Sequence, residues 1–232
     1  FKAILLNILR KYVIRYKINY VTMKLETEFL ILSRYYKHNL KRIDFEYQNP
    51  IDDLSVSIKT IQNEIPNILL GNSADLSNNH ISIINKLAKL NTDFKVYVPL
   101  SYSSTKEYVD YVIEEGKSKL GDKFVPILDY MNKEQYENFL STIDIAIMNH
   151  YRQQALGNLR FLIARGLKIY LNGKNPLHEY FLKNGISIYD VGDINNDIFV
   201  PLEKSQKEKN SQCIKSLFSQ EVYKNNMDDL ML

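Results

Sequence analysis

Tryptophan is missing from this chain of 232 residues, and cysteine occurs once, at Cys213. A single thiol excludes an internal disulfide framework and a zinc site built on clustered cysteines, and it suits a reducing compartment. No apolar run approaches the roughly 20 residues that a membrane-spanning helix needs, and the start carries no secretory pattern. Any membrane contact is therefore expected to be peripheral. Charge of one sign is scarce too: 30 basic against 27 acidic residues leave +3, too slight an excess to argue for a nucleic-acid partner. The dinucleotide glycine fingerprint, the Walker loop and the nucleophile elbow are all absent. No pair of histidines or carboxylates stands at metal-ligand spacing, so neither a protein-bound metal nor a cofactor is expected. The first residue is Phe1 rather than Met, from which a native start further upstream is expected.

What is present is an apolar fraction of 45%, enough for a real core, laid out with regular alternation from Asn67 onward. Strands are expected at 67–70, 95–98, 124–128, 143–148, 168–171 and 186–189, and helices at 77–90, 104–119, 132–141, 153–165 and 176–184. Strands that alternate with helices across short connections imply an α/β fold with a parallel sheet covered on both faces. Gly166 and Gly185 stand where helix C-caps fall, positions that favour the left-handed conformation glycine adopts without steric cost. Beyond Pro201 a polar, lysine-rich stretch precedes a short amphipathic helix over Ser219 to Met231.

Ahead of the alternating region the pattern predicts a helix over Phe1 to Lys17, a strand over Ile18 to Met23, a helix over Leu25 to Tyr36 and a strand over Lys41 to Tyr47. In the first helix Phe1, Ile4, Leu5, Ile8, Leu9, Tyr12, Val13 and Tyr16 recur at helical spacing, flanked by Lys2, Arg10, Lys11, Arg15 and Lys17. Such a basic amphipathic helix can lie on an anionic membrane surface, or pack its stripe on its own domain and leave the basic side in water. The pattern breaks at Gln48-Asn-Pro50, at Asp52-Asp53 and at Pro66, which makes residues 48–66 a connection, with a short helix around Val56 to Ile61.

In an open parallel sheet, ligands bind beyond the carboxyl ends of the strands. After the first strand of the alternating region come Gly71, Asn72 and Ser73, with Asn78 and Asn79 near the helix start. Small polar residues leading from a strand into a helix gather backbone N–H groups into an anion site, or form an ordinary turn capped by a serine. The second strand is followed by Tyr102, the third by Asp129 and Tyr130, the fourth by Asn149 through Asn158 and the fifth by Asn172 through Pro176. The fourth loop is the richest. Arg152 brings a planar charged fork that matches phosphate oxygens, and the amides near Leu156, Gly157 and Asn158 open a helix whose dipole also favours an anion. The other reading is a surface arginine with glutamines that cap a helix. His80, His150 and His178 read as structural histidines, and Asp75 and Asp129 as single acids in loops.

The segments Ile68-Leu-Leu-Gly-Asn-Ser-Ala-Asp-Leu-Ser-Asn-Asn-His-Ile81, Lys95-Val-Tyr-Val-Pro-Leu-Ser-Tyr102, Arg152-Gln-Gln-Ala-Leu-Gly157 and Leu171-Asn-Gly-Lys-Asn-Pro176 together resemble glycosyltransferase family 56. Its members include the TDP-4-acetamido-4,6-dideoxygalactose:lipid II transferases of enterobacterial common antigen synthesis. The similarity covers residues 67–190, with a weaker echo through residues 1–50. It implies an α/β fold of the GT-B glycosyltransferase type: one complete Rossmann-like donor domain at 67–205, the end of an incomplete acceptor domain at 1–50, a linker at 51–66, and a tail with a bracing helix at 206–232. By matching positions, the resemblance assigns donor diphosphate and sugar contacts to Gly71, Asn72, Ser73, Asn79, Arg152, Gln153, Gln154 and Gly157; Asn158, beside them at the helix start, is expected to join these contacts, and Tyr102 or Tyr130 is expected to stack on the base, a role that aromatic faces fill well. Lys174 departs from the family's usual glutamate, a position where a carboxylate often holds the ribose; Asn158 and Ala155-Leu156 depart as well.

The implied activity is metal-independent, inverting transfer of a deoxy amino sugar from a TDP-linked donor to a lipid-linked saccharide. The protein is expected to be cytoplasmic and peripheral to the inner membrane, with the nucleotide-sugar, the acceptor and the cytoplasmic membrane face as partners. The general base that takes the acceptor proton is not identified and is expected in amino-terminal sequence. The alternative is a non-catalytic nucleotide-sugar-binding module.

Overall fold

The computed structural model describes residues 2–45, 56–60 and 63–231. In chain order the elements are α1 (Lys2–Tyr16), β1 (Tyr20–Thr22), α2 (Glu26–Tyr35), β2 (Lys41–Ile43), β3 (Asn67–Leu70), α3 (His80–Leu87), β4 (Lys95–Pro99), α4 (Lys106–Leu120) and β5 (Phe124–Ile127). They continue with α5 (Lys133–Ser141), β6 (Ile145–Met148), α6 (Leu156–Ala164), β7 (Lys168–Leu171), α7 (Pro176–Lys183), β8 (Tyr189–Asp190), α8 (Lys204–Leu217) and α9 (Gln220–Met231). The chain divides into two compact units, Phe1–Asp52 with Ser216–Leu232, and Asp53–Lys215.

In the smaller unit β1 and β2 pair in parallel, Val21 opposite Arg42. Its core is thin, with Leu25 and Leu40 as the buried apolar residues among those described. Arg42 donates to the Met23 carbonyl at 2.8 Å, and Phe45 meets Tyr223 of α9 with ring centroids 6.1 Å apart. Along α1 the large apolar side chains Ile4, Leu5, Ile8, Leu9, Tyr12 and Tyr16 are all exposed.

In the larger unit a six-stranded sheet runs in the order β5-β4-β3-β6-β7-β8, with every pair parallel. β3, β6 and β7 are buried nearly end to end, as strands covered on both faces must be. Ile68, Leu70, Val96, Val98, Ile145 and Ile147 contribute alternate positions to one apolar cluster, which Ile83, Ile84 and Leu87 of α3 and Val112 of α4 complete. The strand order places the chain reversal between the neighbours β3 and β6: from β3 the chain winds out to β4 and β5, then returns to β6 on the other side. Their carboxyl ends diverge into different loops at that point, which opens a crevice above the sheet.

Most expected elements are found within a residue or two, and Gly166 and Gly185 take φ of +74° and +76° just past α6 and α7. The larger differences are confined to particular segments. The helix expected from 77 is a single tight turn over Leu76–Asn78, a left-handed Asn79 (φ 49°), and only then α3. The helix expected from 153 begins at Leu156 after a left-handed Ala155 (φ 58°). The last strand expected at 186–189 is reduced to Tyr189–Asp190. The lysine-rich stretch past Pro201 contains a full helix, α8, which buries Asn210, Ser211 and Ile214 without an apolar stripe. No helix forms over the described residues 56–60, where the Lys59 amide instead donates to Arg165 O at 2.9 Å. The strand expected over Lys41 to Tyr47 ends at Ile43; its positions 46 and 47, Ile61, and the breaks at Gln48-Asn-Pro50 and Asp52-Asp53 lie outside the described residues.

Candidate active site at the sheet switch point

Two loops meet above the junction of β3 and β6, and their own side chains join them. In the first, Gly71 donates to the Ile147 carbonyl across the junction at 2.9 Å. It does so at φ +71°, where a methyl group would meet Asn78 Oδ1 at 2.9 Å and His80 Nε2 at 3.0 Å, so glycine is required there. Asn78, fully buried, donates to the carbonyls of Ser73 and Asp75, both at 3.1 Å. Asp75 accepts from the Ser77 amide at 2.8 Å. These local bonds coil residues 71–79 into a compact turn that ordinary helix geometry would not give.

The second loop, Asn149 to Ala155, is tied to the first at three points. Gln154 donates to Asn72 Oδ1 at 2.9 Å and accepts from Ser77 Oγ at 2.7 Å. Asn79 donates to the Asn149 carbonyl at 2.9 Å. Arg152 reaches Asp75 Oδ2 at 3.4 Å, with its side chain 62% exposed. Hydrogen bonds from Ser77 lower the Asp75 pKa first, with Arg152 and His150 adding to the effect, so Asp75 is a carboxylate beside the arginine. The β7 loop joins through Asn172, which donates to Asn149 Oδ1 at 2.8 Å. His150 is fully buried, and burial, the largest cause, pulls its pKa down to about 4. It is a neutral imidazole at pH 7, as is His80, which burial also lowers to about 4.

Above this junction α6 begins. Ala155 offers no capping side chain, and the first helical backbone bond is Leu159 N to Ala155 O at 2.9 Å. The amides of Leu156, Gly157 and Asn158 thus precede the helix's own hydrogen bonding and carry the positive end of its dipole. Gly157 is exposed, and a methyl on its Cα would meet nothing within 4 Å. The loop that leads into α6 thus carries an exposed arginine, and the helix start has no capping side chain and open space at Gly157: features suited to an anion with several oxygens.

Gly71, Asn72, Ser73, Asn79, Arg152 and Gln154 belong to the two joined loops, while Gly157 and Asn158 lie in the first turn of α6. Within this group roles separate. Gln154 and Asn79 use their amides to fasten the loops, Ser73 is buried, and Asn158 donates to the Tyr136 hydroxyl at 2.8 Å. Gln153 is half-buried between Arg152 and Gln154. Tyr102 borders the site: its hydroxyl donates to Asn72 O at 3.1 Å and its carbonyl accepts from the Ala74 amide at 3.0 Å. Tyr130 is 81% exposed after β5, and no hydrogen bond or ring contact among the described residues ties it to these loops. Lys174 lies over the Tyr151 ring, 5.6 Å from its centroid. Sequence reasoning put Asn149, Asn172 and Asn175 in the right loops without assigning them a task. Their position directly after strand ends was the available signal.

Comparison with known proteins adds a family and a fold. The family described as 4-alpha-L-fucosyltransferase, glycosyl transferase group 56, matches residues 33–231. Among solved structures, the chain resembles a glycosyltransferase from Rickettsia africae ESF-5, with TM-score 0.68 and 16% identity over 95% of this chain and 67% of that one. It also resembles sucrose-phosphate synthase from Thermosynechococcus elongatus, with TM-score 0.72 and 12% identity over 97% of this chain and 60% of that one. The lipopolysaccharide outer core galactosyltransferase WaaB, in its apo form, gives TM-score 0.60 and 12% identity over 92% and 61%. At these identities the structural likeness speaks for the fold, a GT-B type α/β architecture, and the chain spans only 60% to 67% of the length of these structures.

Proposed function

We propose, because this chain belongs to the group 56 glycosyltransferases, that the joined loops above β3 and β6 hold the diphosphate of a nucleotide-sugar donor. The observation that supports this is the fastening of Asn72 and Ser77 to Gln154 at 2.9 and 2.7 Å, which ties the loop after β3 to the loop that carries Arg152 and leads into the uncapped start of α6. Displacement at an anomeric carbon leaves a diphosphate whose growing charge must be stabilised. Arg152 and the amides near Gly157 supply that stabilisation without a metal, and Tyr102 offers a ring face to the base. Residues 67–205 are assigned to the donor domain, residues 1–50 to the end of the acceptor domain, and residues 206–232 to a tail with a bracing helix.

The finer reading is inverting transfer of a 4-acetamido-4,6-dideoxygalactose-type sugar from a TDP-linked donor to a lipid-linked saccharide at the cytoplasmic membrane face. That sugar shares the 6-deoxygalacto skeleton of the fucose named in the family's description. Peripheral membrane contact is supported by α1, whose exposed apolar residues Ile4, Leu5, Ile8, Leu9, Tyr12 and Tyr16 accompany Arg10, Lys11 and Arg15 with no acid in the helix.

A thermal-shift screen with TDP, UDP, GDP and CDP tests the reading, since a ligand that binds only the folded state raises its melting temperature. Calorimetry with the best of these follows. Arg152→Ala is expected to weaken binding by about 2–3 kcal/mol, the loss of a charge-assisted bond; unchanged affinity removes Arg152 from the site. One observation favours a second reading, a non-catalytic nucleotide-sugar-binding module: Asp75 is engaged with Ser77 and Arg152, and His80 and His150 are buried, which leaves these groups poorly placed as a general base. Transfer or donor hydrolysis by the full-length protein separates enzyme from module.

A further inference from the structure

Asn175 lies at the start of α7, 1% exposed, and both ends of its carboxamide are engaged. Its Oδ1 accepts from the Leu177 amide at 2.9 Å and caps the helix. Its Nδ2 reaches across to the neighbouring loop, where it donates to the carbonyls of His150 at 2.9 Å and Arg152 at 2.8 Å. The His150 Nδ1 also lies within hydrogen-bond distance of the same nitrogen, at 2.7 Å, and 3.1 Å from Arg152 O. The amide orientation is fixed by these partners, since exchanging its N and O would set an oxygen against two carbonyl oxygens. One sealed side chain therefore holds the backbone of Arg152 itself, while the side chain of that residue stays 62% exposed beside Asp75.

A long, flexible arginine on an unpinned loop would have to be ordered each time an anion binds, and that ordering costs affinity. We infer that Asn175 is a positioning residue for Arg152, one that fixes the loop between β6 and α6 so that the guanidinium and the first amides of α6 address the same phosphoryl oxygens. The inference rests on the reading of this crevice as a diphosphate site. Asn175 touches no donor atom in this arrangement; it acts through the carbonyl of the residue that does.

The test is a double-mutant cycle by calorimetry, with TDP, UDP, GDP and CDP as probes and the tightest of them compared with its nucleoside. Asn175→Ser keeps a helix-capping oxygen but cannot reach the carbonyls of His150 and Arg152. It should raise the dissociation constant for the diphosphate at least tenfold and leave that for the nucleoside unchanged. In the Arg152→Ala background the same substitution should add less than a twofold further loss, because the group it positions is already gone. Penalties that multiply in the double mutant, or equal losses for diphosphate and nucleoside, overturn the positioning role. Should Asn175→Ser fail to fold by circular dichroism, Asn175→Thr, which is neutral and also keeps a capping oxygen for the Leu177 amide, is read by the same criteria. If Arg152→Ala binds as tightly as the native protein, the diphosphate reading falls and this inference with it. If Arg152→Ala loses affinity while both Asn175 variants keep it, only the inference falls.

Discussion

Arg152 has one partner whose charge resembles that of the anion it is proposed to hold: Asp75, 3.4 Å away. Two effects of that carboxylate oppose each other. It holds the guanidinium over the first loop, and it places negative charge beside the position of a diphosphate. The pair is solvent-exposed on the arginine side, so its orienting value is on the order of 1 kcal/mol or less, whereas repulsion grows with every charge that the ligand brings close. Asp75→Asn keeps an oxygen for the Ser77 amide and removes the charge. It is expected to tighten diphosphate binding by about threefold to tenfold, roughly 1 kcal/mol, at low salt and by less at high salt, where screening weakens exposed charges. Weaker binding in calorimetry would mean that orientation dominates. This arginine was legible in the sequence because its residue type and its place after a strand end both point to phosphate. Gln154 and Asn79 were legible as site residues but not as clasps, since a carboxamide's partners depend on which loop lies opposite. The left-handed Ala155 (φ 58°) was not legible at all, because alanine gives no local signal for a conformation it adopts only when neighbouring bonds impose it.

At the scale of elements, the strands were read well where apolar runs are short and bounded, as with Ile68 to Leu70. Helix starts were read poorly where polar residues have tertiary partners. Both errors, at 77 and at 153, fall on the segments that Asn78 coils locally and that Asn79 and Gln154 fasten from loop to loop, so the site itself displaced the helix ends. The missed helix α8 has a different cause: it buries Asn210, whose carboxamide pairs with the backbone of Ser187 at 2.8 and 3.0 Å, and Ser211, which donates to Ala164 O at 2.6 Å. A periodicity of apolar residues cannot reveal a face that packs through polar groups. Gly116 in α4 is a further case in which packing outweighs propensity. A methyl group built there overlaps the Phe124 ring of β5, so the glycine lets the helix lie close against the sheet edge. In an exposed helix, Gly→Ala would stabilise by about 1 kcal/mol; here overpacking is expected to cost 1–3 kcal/mol. Urea denaturation of Gly116→Ala should therefore show a net loss, and a gain in stability would mean that Phe124 moves aside freely.

For the whole molecule, the alternation of strands and helices made a doubly covered parallel sheet legible, but not the order of its strands. That order follows only when crossovers of one hand are wound outward from β3 and then back to β6, and it is this reversal that makes two loops distant in sequence into neighbours. The packing around the two joined loops buries two imidazoles, His80 and His150, both at 0% exposure. Burial sets each near pKa 4, against 6.5 for an unhindered histidine. The unfolded chain thus binds protons between pH 6.5 and 4 that the folded chain refuses, so stability must fall as pH drops through that window. Each imidazole contributes a slope of up to about 1.4 kcal/mol per pH unit there. The carboxylates of an unfolded chain titrate mainly below pH 5, near their reference values of about 4, which leaves pH 6.5 to 5 as the interval where the histidines dominate. Chemical denaturation across it should show a loss of about 1–2 kcal/mol for each buried imidazole. His150→Gln and His80→Gln should each flatten the profile by about half while leaving the plateau above pH 7 flat. A protein equally stable at pH 7 and pH 5 would show that these rings are solvated in solution, and that the junction between the two loops is open rather than closed.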